Sequence, residues 1–325
     1  MLECDILMRR KNWNLRFQCA VPSGSVFCLY GSSGAGKSSI LSVLAGFEKA
    51  ARARIVLSNE VVEDTSAVPK VRMPVWQRGF AYVEQTPRLF PHMTIRENIL
   101  YGVPGGKWSS ELDDLITAFQ LQTYLLAKPR QLSGGFKQRV ALVRALAMNP
   151  RVLLLDEPFS ALDWRAREEL QELIVRVYQK RPITTLFVTH SISEAQRLAQ
   201  RIGIIDHGKL LQEGTVSEVL FAPASLRVAQ LVGYTHFLQG DYFGLTQGAF
   251  LALHPDQVLV GEYPERGLVV TGQVSQQRLR EGQQRIELTL DNGDRIGVTM
   301  SIFEEIAIGQ LVTVTLPNRV VYNVE

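Results

Sequence analysis

The chain has 325 residues, 46% of them hydrophobic and 21% charged, with a net charge of +3 at pH 7. That length buries a substantial core and predicts two domains, while so small a charge without Lys/Arg runs argues against a nucleic-acid partner. Cys4, Cys19 and Cys28 are odd in number and lack metal-ligand spacing, which excludes a disulfide framework and predicts reduced thiols in a cytosolic protein.

The start, Met1-Leu2-Glu3-Cys4-Asp5, carries an early acidic residue and no apolar block, so no signal peptide is expected. Nor does any stretch reach the roughly 18 to 20 apolar residues that span a bilayer. Residues 1–26 alternate as short strands with a turn at Pro22-Ser23-Gly24. Val26 to Tyr30 is a continuous apolar run, the pattern of a strand buried on both faces, and Cys28 reads as core. A glycine loop follows, and then Ile40, Leu41, Val43 and Leu44 at helical spacing, stopped by Gly46.

Arg54–Leu57 and Gly79–Val83 are further predicted strands, separated by a polar stretch from Val61 to Pro74 that reads as an irregular surface excursion. Residues 86–148 are mostly helical, with loops at Pro91, Pro104, Gly105 and Gly106. Val152–Leu155 and Thr184–Val188 suit inner parallel strands, with a helix from Ala161 to Gln179 between them. Ile202–Ile205 ends at the turn Asp206-His207-Gly208-Lys209, and Ser217–Leu231 reads as one helix. Beyond His236 the texture becomes short alternating strands, with turn signals at Gly261, Gly272, Gly282 and Gly309 and a hairpin at Asp291-Asn292-Gly293-Asp294. This predicts a small β-barrel of about 90 residues, 236–325, after a first domain of residues 1–235.

Gly31-Ser32-Ser33-Gly34-Ala35-Gly36-Lys37-Ser38, set between strand and helix, is a phosphate loop. Its glycines let consecutive N–H groups point at phosphate oxygens, and the helix adds its positive end. Lys37 supplies a charge for the β- and γ-phosphates and Ser38 a hydroxyl for Mg²⁺. The strand Val152–Asp156 delivers the Asp156 carboxylate to that Mg²⁺, and Glu157, next in line, suits the polarising of water opposite the leaving phosphate. Gln85 and His190 each end a predicted strand; alone, each fits a ligand role or an ordinary structural one. Trp13 fits adenine stacking or plain packing equally well. A second glycine loop, Leu132-Ser133-Gly134-Gly135-Phe136-Lys137-Gln138-Arg139, opens another predicted helix.

In this order the segments resemble the motif series of the ABC transporter ATPases: Walker A loop (Gly31–Ser38), Q-loop (Gln85), signature motif (Leu132–Arg139), Walker B strand (Leu153–Glu157), D-loop (Ser160–Asp163) and H-loop (His190). The resemblance covers about residues 1–235. It implies an α/β P-loop nucleotide-binding domain, a RecA-like core plus a helical subdomain at about 86–148, working as a head-to-tail homodimer with two ATP and Mg²⁺. Each nucleotide would be held by Trp13, Gly31, Ser32, Ser33, Gly34, Ala35, Gly36, Lys37, Ser38 and Ser39 of one subunit and Ser133, Gly134 and Gly135 of the other. Ser38, Gln85 and Asp156 would hold the metal. Glu157 would be the general base, His190 would contact the γ-phosphate, Lys37 would stabilise charge, and Asp163 would act across the interface.

Leu89-Phe90-Pro91-His92-Met93-Thr94-Ile95 with Glu97-Asn98 resembles the importer branch for molybdate, sulfate, sugar, polyamine and iron. The β-rich tail, with Gly272-Gln273-Val274 and the Asn292-Gly293 hairpin, is similar to oxyanion-binding domains of the molybdate type. The implied function is an importer ATPase on the cytoplasmic membrane face, molybdate first among its cargoes, with two permease subunits, an extracytoplasmic solute-binding protein and an oxyanion ligand on the tail. The alternatives are a soluble ATPase acting on ribosomes or DNA and an oxyanion-sensing module. Glu84, where an aromatic is usual, Ser191, where an acid is usual, and Arg54, where a glycine commonly opens the strand, depart from the family pattern.

Overall fold

The computed structural model describes residues 1–10, 13–239, 249–280, 283–317 and 321–323, in two compact units, Met1–Val216 and Ser217–Glu325. In the first unit β1 (Leu2–Arg9) and β2 (Asn14–Val21) form an antiparallel hairpin whose alternate side chains, Leu2, Ile6, Leu15 and Phe17 among them, are fully buried. β3 (Val26–Gly31) leads through the glycine loop into α1 (Lys37–Ala45), then come β4 (Arg52–Leu57), β5 (Glu60–Asp64), β6 (Val71–Arg72) and β7 (Phe80–Val83). The helical lobe holds α2 (Ile95–Leu100), α3 (Ser110–Ala118) and α4 (Gly134–Ala147). β8 (Val152–Asp156), α5 (Trp164–Lys180), β9 (Thr184–Thr189), α6 (Ile192–Leu198), β10 (Arg201–Asp206) and β11 (Lys209–Thr215) complete the unit.

The strands form one sheet in the order β6-β5-β4-β1-β2-β11-β10-β3-β9-β8-β7. β10, β3, β9, β8 and β7 run parallel, and every residue of β8 and β9 is buried, as inner parallel strands covered on both faces require. Their carboxyl ends lie side by side, the place where an open parallel sheet binds its ligands.

The Val61–Pro74 stretch is not wholly a surface excursion. Val62 is fully buried, and the Glu63 carboxylate accepts a 2.5 Å bond from the Arg78 guanidinium, both side chains being at most 2% exposed. Arg78 also donates to Leu44 O (2.9 Å) and Val43 O (3.3 Å), capping the end of α1. A buried charge stripped of its partner costs about 3 to 5 kcal/mol. Glu63→Ala is therefore expected to lose roughly that much stability in urea denaturation, whereas a loss below about 1 kcal/mol would contradict the ion-pair account.

In the helical lobe Thr94 and Glu97 form a capping box that starts α2. The fully buried Asn98 side chain accepts from Phe90 N (2.8 Å) and donates to Phe90 O (3.1 Å), pinning the loop after Gln85 to α2. Arg54 sits within β4, not at its start, with its side chain near Asp64 (3.8 Å). Cys4 and Cys19 face each other across β1 and β2 with their sulfurs 3.4 Å apart in a hydrogen bond, and all three thiols are buried and free of disulfides.

The second unit opens with α7 (Val216–Phe221) and α8 (Leu226–Leu231) where the sequence predicted a single helix. The break falls at Pro223, which has no N–H to continue the helix; Ser225 then caps α8 by accepting from Val228 N (3.3 Å). β12 (His236–Gln239), β13 (Ala249–Leu253), β14 (Leu259–Val260), β15 (Gly267–Arg280), β16 (Gln283–Thr289), β17 (Arg295–Ser301), β18 (Leu311–Pro317) and β19 (Val321–Asn323) follow. They pair as two antiparallel sheets, β12-β13-β19 and the curled β14-β18-β15-β16-β17. These enclose a core that includes Leu253, Leu288, Ile296, Val298, Val314 and Leu316.

The Asn292-Gly293 hairpin forms as predicted, with Leu290 N donating to Asp294 O (2.8 Å). Gly272, expected at a turn, instead lies inside β15; a Cβ there would stand 3.0 Å from Leu288 Cβ, so it answers a packing demand. Gly282 lies outside the described residues.

Candidate functional site

The carboxyl ends of β3, β7, β8 and β9 converge on one site. Gly31 closes β3 so near β10 that a Cβ would lie 2.0 Å from Ile205 O, which forbids any side chain there. Gly36 caps α1 in the left-handed region (φ +101°), letting the chain turn its N–H groups into the loop before the helix begins. Ser32, Ser33 and Gly34 form the exposed rim, Ala35 is buried beneath it, and Ser39 is half-buried on α1. Ser32 Oγ donates to Asp206 Oδ1 (3.1 Å), fixing the rim to the end of β10.

The Lys37 side chain runs back along the loop, its ammonium donating to Gly31 O (2.7 Å) and Ser32 O (2.9 Å). Burial lowers the Lys37 pKa, and the opposing charges of Glu157 and Asp156 act against that shift. Ser38 Oγ donates to Asp156 Oδ1 (2.8 Å), although 118 residues separate them in sequence. Tyr82, on β7, donates its hydroxyl to the other oxygen, Oδ2 (3.0 Å). Burial and the Asp156 charge both push the phenol pKa well up, so the group remains a donor. A hydroxyl beside a carboxylate is a hard-oxygen set of the kind Mg²⁺ takes, and these residues fit that ion.

Glu157 leaves β8 with φ at +43°, uncommon for a side chain of its size and held by Glu157 N donating to Val188 O (3.1 Å). This turn aims its carboxylate at His190 Nδ1 and Gln85 Nε2, each 3.4 Å away. Gln85 Nε2 also donates to Ser160 Oγ (3.2 Å), which itself donates to Glu157 O (3.0 Å). The loop after β7 is thereby tied to the segment after β8. His190 is exposed beyond β9; Thr189 beside it donates to the buried Glu194 carboxylate (2.5 Å), whose pKa burial raises. Ser191 N donates to Thr189 Oγ1 (2.9 Å), so Ser191 meets the turn through its backbone. Glu84 pairs with Arg88.

Trp13 is half-buried between the end of the glycine loop and the turn after β10: a Cβ on Gly36 or on Gly208 would come within 3.0 Å of its ring. The second glycine loop lies elsewhere. Ser133 is the exposed N-cap of α4, and Gly135 backs onto Ala166 and Leu162. Among the described residues no hydrogen bond joins Ser133, Gly134 or Gly135 to the Lys37 loop. Asp163 caps α5 by accepting from Ala166 N (3.0 Å). Sequence reasoning missed Tyr82, Asp206 and Glu194; only Tyr82, a polar tip inside an apolar strand, carried any signal.

A family model described as ABC transporter matches residues 15–160. The sulfate/thiosulfate import ATP-binding protein CysA of Thermosynechococcus vestitus is 35% identical over 290 residues, 86% of this chain and 84% of that one. The chain belongs to the ABC transporter ATP-binding family. The molybdenum import ATP-binding protein ModC of Pectobacterium atrosepticum is 34% identical over 269 residues, 81% of this chain and 74% of its own length. The spermidine/putrescine import ATP-binding protein PotA of Pseudomonas fluorescens is 40% identical over 231 residues, 68% of this chain and 60% of its own length.

Among solved structures, the dimeric ATP-binding cassette MJ0796 in a post-hydrolysis state with ADP and Pi superposes with a TM-score of 0.56 at 26% identity, covering 66% of this chain and 99% of that one. The protein is an ATPase of this family, with ATP as its nucleotide and Mg²⁺ as its metal. No helix of the described residues is long and apolar enough to cross a membrane.

Proposed function

We propose that this chain is the ATP-hydrolysing subunit of an oxyanion importer, acting as a homodimer on the cytoplasmic face of the membrane beneath two permease subunits. The observation that carries the reading is the convergence of Lys37, the Ser38–Asp156 pair and the Gln85–Glu157–His190 cluster at adjacent strand ends. Lys37 and the loop N–H groups bind the β- and γ-phosphates. Ser38 and Asp156, with Gln85 at the edge, would hold Mg²⁺, which when bound neutralises charge on the transferred phosphoryl group.

Glu157 takes the proton of the attacking water, and His190 beside it contacts the γ-phosphate. A monomer so built is an incomplete enzyme. The exposed start of α4 at Ser133, Gly134 and Gly135 is a helix N-terminus suited to the γ-phosphate of the facing subunit's nucleotide. The dimeric state of MJ0796 supports this arrangement. Closure on ATP and opening after hydrolysis then drive the permeases. Trp13 stacks the adenine. In cell fractionation the protein is expected with membranes and released without detergent; recovery with ribosomes would favour the soluble-ATPase alternative.

For the cargo, the tail's Gly272-Gln273-Val274 and Asn292-Gly293 segments support molybdate, as does the relative named for molybdenum import, while the relative named for sulfate/thiosulfate import supports sulfate as the alternative. The second unit binds that anion as a sensor, and a separate extracytoplasmic protein delivers it. Calorimetric titration of the full-length protein with molybdate, tungstate and sulfate is expected to show binding heat strongest for molybdate. Absence of heat for all three would remove the sensor.

A further inference from the structure

Tyr82 sits three residues before Gln85 on β7, in register with Leu154 on β8, so its ring lies against the strand that ends in Asp156. Its hydroxyl donates to Asp156 Oδ2 at 3.0 Å. The ring is held edge-on by Phe47, just past α1, with centroids 5.6 Å apart. Tyr82 is therefore held at its ring by Phe47 and at its hydroxyl by the carboxylate oxygen that Ser38 does not bond.

The two oxygens of Asp156 are thus fixed by different donors. Ser38 holds Oδ1 only while its hydroxyl points at the carboxylate. Tyr82 restrains the other oxygen, Oδ2, from β7, an element that carries neither Lys37 nor Ser38.

We propose that Tyr82 is a positioning residue for the metal-binding carboxylate: it orients Asp156 through Oδ2, with its ring seated against Phe47. The proposal rests on the reading of Asp156 as the Mg²⁺-holding carboxylate. Partners of this kind behind a metal ligand change metal affinity or activity by about 10- to 100-fold when removed.

The test is Tyr82→Phe in the full-length protein, which keeps the ring and removes only the hydroxyl. The Mg²⁺ concentration for half-maximal ATP hydrolysis is expected to rise about tenfold. In calorimetry, ATP affinity without Mg²⁺ stays as in the wild type, while the gain in affinity on adding Mg²⁺ shrinks.

Mg²⁺ dependence in Tyr82→Phe matching the wild type would overturn the proposal. Asp156→Asn separates the two levels. If it leaves the Mg²⁺ requirement untouched, the underlying metal reading fails; if it abolishes Mg²⁺-dependent binding while Tyr82→Phe is silent, only the role of Tyr82 fails.

Discussion

Glu157→Gln is expected to slow ATP hydrolysis by about two to four orders of magnitude, the span that a positioned general base contributes. That is about 3 to 5 kcal/mol of barrier. The amide keeps the size of the side chain and can still meet Gln85 and His190, each 3.4 Å away, but it cannot accept the proton of the attacking water. The strained turn at φ +43° is a backbone property and survives the change. ATP binding, carried by the Lys37 loop, is expected to remain close to that of the wild type. Steady-state phosphate release and equilibrium ATP titration, measured on the same preparation, separate the two. Turnover equal to the wild type would dismiss Glu157 as the base.

The second large effect concerns Ser133→Arg. Ser133 is exposed at the start of α4, and its cap bond from Phe136 N is long at 3.5 Å, so the fold loses little when it is replaced. An exposed N-cap change costs about 0.5 to 2 kcal/mol of stability. An arginine there fills the approach to the helix N-terminus and sets a positive charge against its positive end. In the proposed dimer this is where the facing nucleotide's γ-phosphate sits.

ATP-driven dimerisation and turnover are therefore expected to disappear while ATP affinity of the monomer is retained. Light scattering in the Glu157→Gln background, where ATP is not consumed, reads the dimer directly. ATP-dependent dimers of the double variant would refute a site completed by the partner subunit.

The two glycine loops were legible in the sequence for a shared reason. A loop that wraps a phosphate needs several consecutive N–H groups with left-handed turns between them, which confines Gly34, Gly36, Lys37 and Ser38 to one short stretch. The second glycine loop is contiguous in the same way. Gln85 and His190 were ambiguous because each is a lone residue at a strand end. The sheet resolves them by bringing both to the Glu157 carboxylate.

Two misreadings have equally specific causes. The charges around Glu63 suggested a surface stretch, because sequence proximity does not reveal that Arg78 folds back, 15 residues on, to neutralise it in the interior. Pro223 did mark the break between α7 and α8, but the apolar spacing on either side masked it.

The sequence by itself determined the chemistry: a phosphate loop, an acidic strand end, a second glycine loop and a β-rich tail, each encoded by local backbone requirements and side-chain period. Only the tertiary structure decided how Asp156 is held, with Ser38 on one oxygen and Tyr82 on the other, and how Ser32 is tied to Asp206 across 174 residues. Those contacts depend on strand order and on the register of parallel neighbours. Both are set by which apolar faces bury against one another over the whole sheet, and no short stretch of residues encodes them.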